Sequence, residues 1–184
     1  MDALTLQRLY GARPDVAAAW APFIAEAMNL AQCTTRERQA CFLAQVGHES
    51  GRLRYVREIW GPTKQQQRYE PTTTLSRRLG NTEPGDGARY MGRGLIQTTG
   101  RANYAMTTVR LRDFVGEVPD FEQEPARLES RRWAALSAGL FWRVKNLNRW
   151  VDAQDFAELT RRVNGGYNGL ADRQALLARA LAVL

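Results

Sequence analysis

The chain has 184 residues, 44% hydrophobic and 24% charged, which suits one compact globular domain and excludes a disordered chain, a collagen or a coiled coil. No apolar run approaches the ~18 residues needed to span a bilayer. Lys and Arg number 26 against 19 Asp and Glu, for a net charge of +7. That sign favours anionic partners such as nucleic acid, anionic lipid or an anionic wall polymer, though a merely solvated arginine-rich surface gives the same arithmetic.

Lys64 and Lys145 are the only lysines, and residues 131–184 alone hold nine cations against four anions. Met1–Leu9 carries Asp2 and no apolar h-region, so no secretory signal is expected and synthesis in a cytoplasm follows. Asp15 to about Leu30 is alanine-rich, with Trp20, Phe23, Ile24, Ala27 and Met28 near helical spacing. Thr34 and Glu37 have the spacing of a capping box and open a second helix through Phe42, Gln45 and His48 to about Ser50-Gly51. Cys33 and Cys41 are the only cysteines. Cys41 falls inside this helix, so free thiols are expected rather than a bridge. His48 is the single histidine, too few ligands for a zinc site.

Residues 52–62 alternate loosely, as a short strand or extended arm does, until Gly61-Pro62. Residues 79–94 contain five glycines and predict a loop without a phosphate-binding fingerprint. Helical spacing returns from Glu124-Pro125 through Trp133, Leu140, Phe141 and Leu147, and again over Asp152–Val163. After the turn-rich Asn164–Gly169, Asp172 is expected to cap a closing helix. The residues therefore predict one α-rich domain with a small extended or β arm between helices.

Two glutamates stand out chemically. Glu49 closes a helix, where the negative end of the dipole disfavours an ionised carboxylate, as suits a general acid. Glu58 lies nine residues on, close in sequence to Arg54 and Arg57, and cationic neighbours favour its ionised form. A protonated carboxyl and an ionised one are the pair that glycoside hydrolysis uses. Two ordinary surface glutamates satisfy the same spacing.

The stretch Phe42-Leu43-Ala44-Gln45-Val46-Gly47-His48-Glu49-Ser50-Gly51, followed by Leu53-Arg54-Tyr55 and Glu58, resembles the catalytic region of glycoside hydrolase family 19. That family holds chitinases and, in compact form, phage endolysins. Tyr90-Met91-Gly92-Arg93-Gly94-Leu95-Ile96-Gln97-Thr98-Thr99, with Asn103-Tyr104 after it, resembles a second block of the family. Thr160-Arg161-Arg162-Val163-Asn164-Gly165-Gly166 resembles a third. The three matches span about residues 40–173. The short chain, its charge and the missing signal lean toward the endolysin branch.

The resemblance implies a mainly α, lysozyme-like fold of two lobes with a cleft between them. It implies one catalytic domain over residues 1–184, with no separate binding module. Glu49 matches the general acid and Glu58 the general base, with Glu70 as a rival for the second role. Thr99 matches a hydroxyl that holds the attacking water. Gln97, Asn103, Tyr104, Asn164 and Arg173 match substrate-contacting positions. Each has a plainer reading: turn residues for Gln97, Thr99 and Asn103, a structural histidine for His48, and for Arg173 an anchor beside a carboxylate, Glu58 among the choices. Trp60, Tyr69 and Tyr90 are either sugar-stacking rings or core.

The implied reaction is inverting hydrolysis of β-1,4 bonds between N-acetylated amino sugars, with peptidoglycan as substrate. It needs no metal or organic cofactor. A monomer acting at the cell wall or periplasm, released by a membrane-permeabilising partner, completes the expectation. The nucleic-acid reading finds no helix-turn-helix, zinc or single-strand aromatic signature.

Overall fold

The computed structural model describes residues 1–184. The fold is all-α, with 11 α-helices, one 3-10 turn and no strand, and no helix is long and apolar enough to cross a membrane. The chain divides into two compact units, residues 1–55 with 138–184, and residues 56–137.

The first unit begins with α1 (Ala3–Tyr10) and α2 (Pro14–Leu30). α1 was not foreseen, yet Asp2 accepts the Thr5 amide as its N-cap, and Gly11 closes it in the left-handed region. Next comes α3 (Arg36–Glu49). Its cap is Thr35, which accepts the Arg38 amide, so the expected Thr34–Glu37 capping box gives way to a single cap one residue later. The unit is completed by the later part of α8 (Arg131–Val144), then α9 (Asn148–Asp152), α10 (Phe156–Asn164) and α11 (Leu170–Val183). The helix expected over 152–163 is α10, which starts only at Phe156, after Gln154 with a positive φ of 58° and the cap Asp155.

The core of this unit is apolar and tightly packed. Phe42 meets Trp142 edge-on at 5.2 Å. A Cβ on Gly139 would lie 2.5 Å from the Ala27 carbonyl oxygen, so α8 approaches α2 closely only because residue 139 has no side chain. Buried Tyr10 donates to the Leu43 carbonyl at 2.7 Å, and its ring would clash with any Cβ on Gly47. This contact fixes the last turns of α3. Cys33 and Cys41 are free and buried, and burial pushes both thiols up to about 12.

The second unit holds three short helices, α4 (Lys64–Gln67), α5 (Thr74–Leu79) and α6 (Asp86–Arg89), then α7 (Arg101–Val115) and a 3-10 turn at Pro125–Glu129. The expected β arm is absent. Positive φ at Gly51, Arg52 and Leu53 is incompatible with a strand at its start. What remains are two isolated bridges, Arg57 with Arg93 and Arg93 with Thr98. The glycine-rich stretch expected to be loop contains α6, anchored by Asp86, which accepts two bonds from Arg101 at 2.9 and 2.6 Å. Burial pushes Asp86 up, but the Arg101 guanidinium and the Glu83 and Thr82 amides outweigh it and hold the carboxyl below its ordinary range.

Candidate active site

In the first unit, α3 ends on Glu49, and the first turn of α11 brings Arg173 against it. Arg173 Nη2 donates to Glu49 Oε1 at 2.5 Å. Its Nη1 donates to Gln45 Oε1, and its Nε donates to the Asn168 carbonyl at 3.2 Å. Gln45, one turn before Glu49, donates onward to Thr160 Oγ1 at 2.9 Å. The Asn164 amide also donates to the Asn168 carbonyl, at 3.1 Å. The Arg173 side chain is 1% exposed and that of Glu49 is 19% exposed. The helix-end field therefore does not act on Glu49 alone, since a fixed, nearly dry guanidinium sits on the same carboxylate.

A second pair lies directly alongside. His48 Nδ1 is 2.7 Å from Asp172 Oδ2, and Arg52 Nη2 donates to Asp172 Oδ1 at 3.0 Å. Asp172 is therefore not the cap of α11, which begins after Gly169. Gly169 has φ +72°, and a Cβ there would come within 2.2 Å of the His48 ring. His48 is half-buried and hydrogen-bonded to Asp172 at the end of α3, a structural role but not a core one. Adjacent residues of α11, Asp172 and Arg173, thus grip adjacent residues of α3, His48 and Glu49.

In the second unit, Glu58 is half-buried and held by neutral donors. Gln66 Nε2 donates to its Oε1 at 2.9 Å, and the Gly92 amide to its Oε2 at 3.0 Å. The Glu58 amide donates back to the Gly92 carbonyl at 2.8 Å. The expectation that Arg54 and Arg57 flank this carboxylate is not met. Arg57 turns to Glu129 at 3.7 Å, as neighbours in extended backbone point to opposite sides. Gln66 is buried, and its Oε1 also accepts the Gly61 and Thr63 amides at 3.2 and 2.7 Å. Tyr69 hydrogen-bonds Glu58, and burial together with that carboxylate pushes its phenol up. Trp60 lies 6.3 Å from the Tyr69 ring, and both rings are half-exposed.

Gly92 also gathers the predicted polar residues. A Cβ there would meet Gln97 Oε1 at 2.4 Å and Thr99 Oγ1 at 3.2 Å. Gln97 and Thr99 are thus packed around the residue that holds Glu58. Thr99 donates to the Gln97 carbonyl at 3.0 Å, and exposed Asn103 donates to the Thr99 carbonyl at 2.7 Å. Glu70 is engaged elsewhere, accepting the Gly85 amide at 2.8 Å.

Two expected contact residues are corrected, and the open choice for Tyr90 falls to the core. Tyr104 is fully buried. Its hydroxyl donates to the Met91 carbonyl at 2.5 Å and accepts from Arg93 at 3.0 Å, so its ring offers a sugar no surface. Tyr90 is equally buried and stands edge-on to Tyr104 at 5.4 Å, which ends its reading as a stacking platform. Arg173 is buried too, and acts on Glu49 rather than on Glu58 or a sugar. Sequence reasoning missed Gln45, Thr160, Asp172 and Gln66 as members of these clusters. Gln45 alone left a signal, one helical turn before Glu49.

No family model matches the chain. It is 33% identical over 183 residues to a glycosyl hydrolase family 19 domain-containing protein of Haemophilus influenzae, covering 87% of this chain and 86% of the relative. It is 36% identical over 148 residues to an endochitinase of Arabidopsis thaliana, covering 78% of this chain and 46% of that one. In fold it is similar to chitinase C of Streptomyces griseus, with a TM-score of 0.70 at 22% identity over 98% of this chain and 75% of the other. It is also similar to a bacterial family 19 chitinase, with a TM-score of 0.69 at 19% identity over 98% and 93%. With this extent of identity to a family 19 relative, and the all-α fold of family 19 chitinases, the chain belongs to glycoside hydrolase family 19.

Proposed function

We propose that this glycoside hydrolase is of the endolysin type and cleaves β-1,4 bonds of bacterial peptidoglycan. The observation that carries the reading is the net charge of +7. Peptidoglycan bears free carboxylates on its stem peptides, whereas chitin is neutral, so a cationic surface raises the local concentration of enzyme on the first polymer and not on the second. Glu49 protonates the departing glycosidic oxygen. Glu58, assisted by Thr99, takes a proton from the water that attacks the anomeric carbon, and the new C–O bond has inverted configuration. Inversion requires the two carboxyls to stand ~6.5–9.5 Å apart in the working complex, on opposite sides of the bond and with room for that water.

Arg173, itself held by Gln45, keeps the Glu49 carboxyl in place, and Gln66 and the Gly92 amide hold that of Glu58. Gln97, Asn103 and Asn164 contact the sugars. Residues 1–184 act as one catalytic domain, monomeric and without a nucleic-acid partner. The enzyme reaches the wall through a membrane opened by a second protein.

A chitinase reading is favoured by the names of the Arabidopsis and Streptomyces relatives. Purified sacculi and chitin oligomers, incubated side by side with the enzyme, separate the two. Mass spectrometry of the released fragments is expected to show soluble muropeptides whose reducing-end sugar names the bond cut. Cleavage of chitin oligomers with no muropeptide release overturns the peptidoglycan assignment. Glu49→Gln is expected to lower the rate by about 10²–10⁴, and undiminished lysis by that variant removes Glu49 from its role.

A further inference from the structure

Lys145, Leu147, Arg149, Trp150 and Arg162 line a small cavity of about 130 Å³ in the first unit. We propose that this cavity binds the phosphate of a phospholipid headgroup and docks the enzyme on an anionic bilayer surface. The proposal is independent of which glycan the enzyme cuts.

Three of the five lining residues are cations and none is an anion. Arg149 and Arg162 both lie over the Trp150 ring, their guanidinium carbons 4.2 and 5.3 Å from its centre. The ring contact leaves the Arg149 guanidinium and the Nη groups of Arg162 able to donate, the arrangement that suits a phosphate oxygen. Lys145 adds a mobile ammonium, 5.7 Å from the centre of the Phe141 ring.

Neutralisation from within the protein is incomplete. No carboxylate pairs with Lys145 or Arg149. Arg162 gives only its Nε to Glu158 Oε1, at 2.6 Å, and Glu158 is already shared with Arg161. Three like charges around one cavity repel each other, and an anion placed among them relieves that repulsion. The volume amounts to a few waters at ~30 Å³ each, on the scale of one tetrahedral oxyanion.

The rim favours a lipid over a free anion. Val144, beside Lys145, is 52% exposed at the end of α8. Phe141 and Trp150 are half-exposed. Aromatic and aliphatic groups interleaved with Lys and Arg are the composition that sits at a membrane–water interface.

The test is co-sedimentation of the whole chain with vesicles of phosphatidylglycerol and phosphatidylcholine in a 3:7 ratio, against vesicles of phosphatidylcholine alone. The Lys145→Gln/Arg149→Gln variant is compared with Arg78→Gln/Arg110→Gln, which removes the same net charge from exposed residues elsewhere. At ~1 kcal/mol per basic residue near an anionic surface, the pocket variant is expected to partition about 30-fold less onto the anionic vesicles. The control pair is expected to lose a small fraction of that. Hydrolysis of a soluble oligosaccharide is expected to be unchanged in both.

Equal losses in the two variants mean diffuse charge and overturn the pocket. Saturable binding of inorganic phosphate that the pocket variant loses, with no binding to anionic vesicles, overturns the lipid assignment in favour of a free anion. Binding to duplex DNA that exceeds vesicle binding and is lost in the same variant overturns it in favour of nucleic acid.

Discussion

Arg173→Met tests the geometry around Glu49 with nearly conserved volume. The substitution removes the donors to Glu49 Oε1, Gln45 Oε1 and the Asn168 carbonyl, and leaves a carboxylate that is only 19% exposed without its cation. Breaking a buried pair from one side costs about 3–5 kcal/mol, because the remaining charge stays desolvated. Glu49 keeps some access to water, so the lower end applies, about 3 kcal/mol. For a chain of this size each kcal/mol shifts Tm by roughly 2–4 °C, giving a fall of roughly 6–12 °C. Differential scanning calorimetry at pH 7 measures it, with Arg179→Met as control, since Arg179 is exposed and donates only to the Arg8 carbonyl. Arg173→Lys is expected to recover less than half the loss, because one ammonium cannot reproduce the forked geometry. A Tm change no larger than the control's refutes the reasoning.

Three further outcomes follow from the same structure. Gly169→Ala combines ~1–2 kcal/mol of left-handed backbone cost with displacement of the His48 ring, and a drop in stability of about 2–3 kcal/mol in urea is expected; an unchanged unfolding midpoint contradicts the packing of Gly169 on His48. Asp86→Asn is expected to cost about 2–3 kcal/mol at pH 7 by removing the carboxylate that takes two Arg101 bonds, which leaves that guanidinium to Glu122 alone. Because the folded-state pKa of Asp86 lies below its ordinary value of 3.8, the wild-type advantage is complete above about pH 4 and shrinks as acid takes the pH through the lowered value. A gap between wild type and variant that stays constant from pH 7 to pH 2 contradicts this. Cys33 and Cys41, with thiols pushed up to about 12, should resist iodoacetamide at pH 8 until the protein unfolds, and rapid labelling of the native chain contradicts their burial.

The helices with strong apolar periodicity were legible in the sequence, as α2, α3 and α8 show. α7 was not. Its buried face includes Thr107 and Thr108, while Met106, Val109 and Phe114 are exposed, and Gly100 supplies no side-chain cap. Both the hydrophobic period and the start signal are therefore missing. α4 to α6 are only four to six residues long and depend on tertiary partners such as Arg101 for Asp86.

For the candidate site, the positions of Glu49 and Glu58 were readable, but their surroundings were not. Arg173, the partner of Glu49 on α11, and Thr160, the partner of Gln45 on α10, both lie more than a hundred residues away, and no local rule connects them. For Glu58 the local rule misled, since Arg57 turns to Glu129 while Gln66 and the Gly92 amide make the contacts. Tyr104 sits in a motif block beside exposed Asn103, and only packing shows that one faces solvent and the other the core.

The two-carboxylate account is tested most directly by following the anomeric proton of the newly formed reducing end by NMR in the first minutes of hydrolysis, before mutarotation blurs it. Water delivered by Glu58 while Glu49 protonates the leaving oxygen predicts the α-anomer as first product from a β-linked glycan. An initial β-anomer means that configuration is retained, and contradicts the role of Glu58 as the base that delivers water.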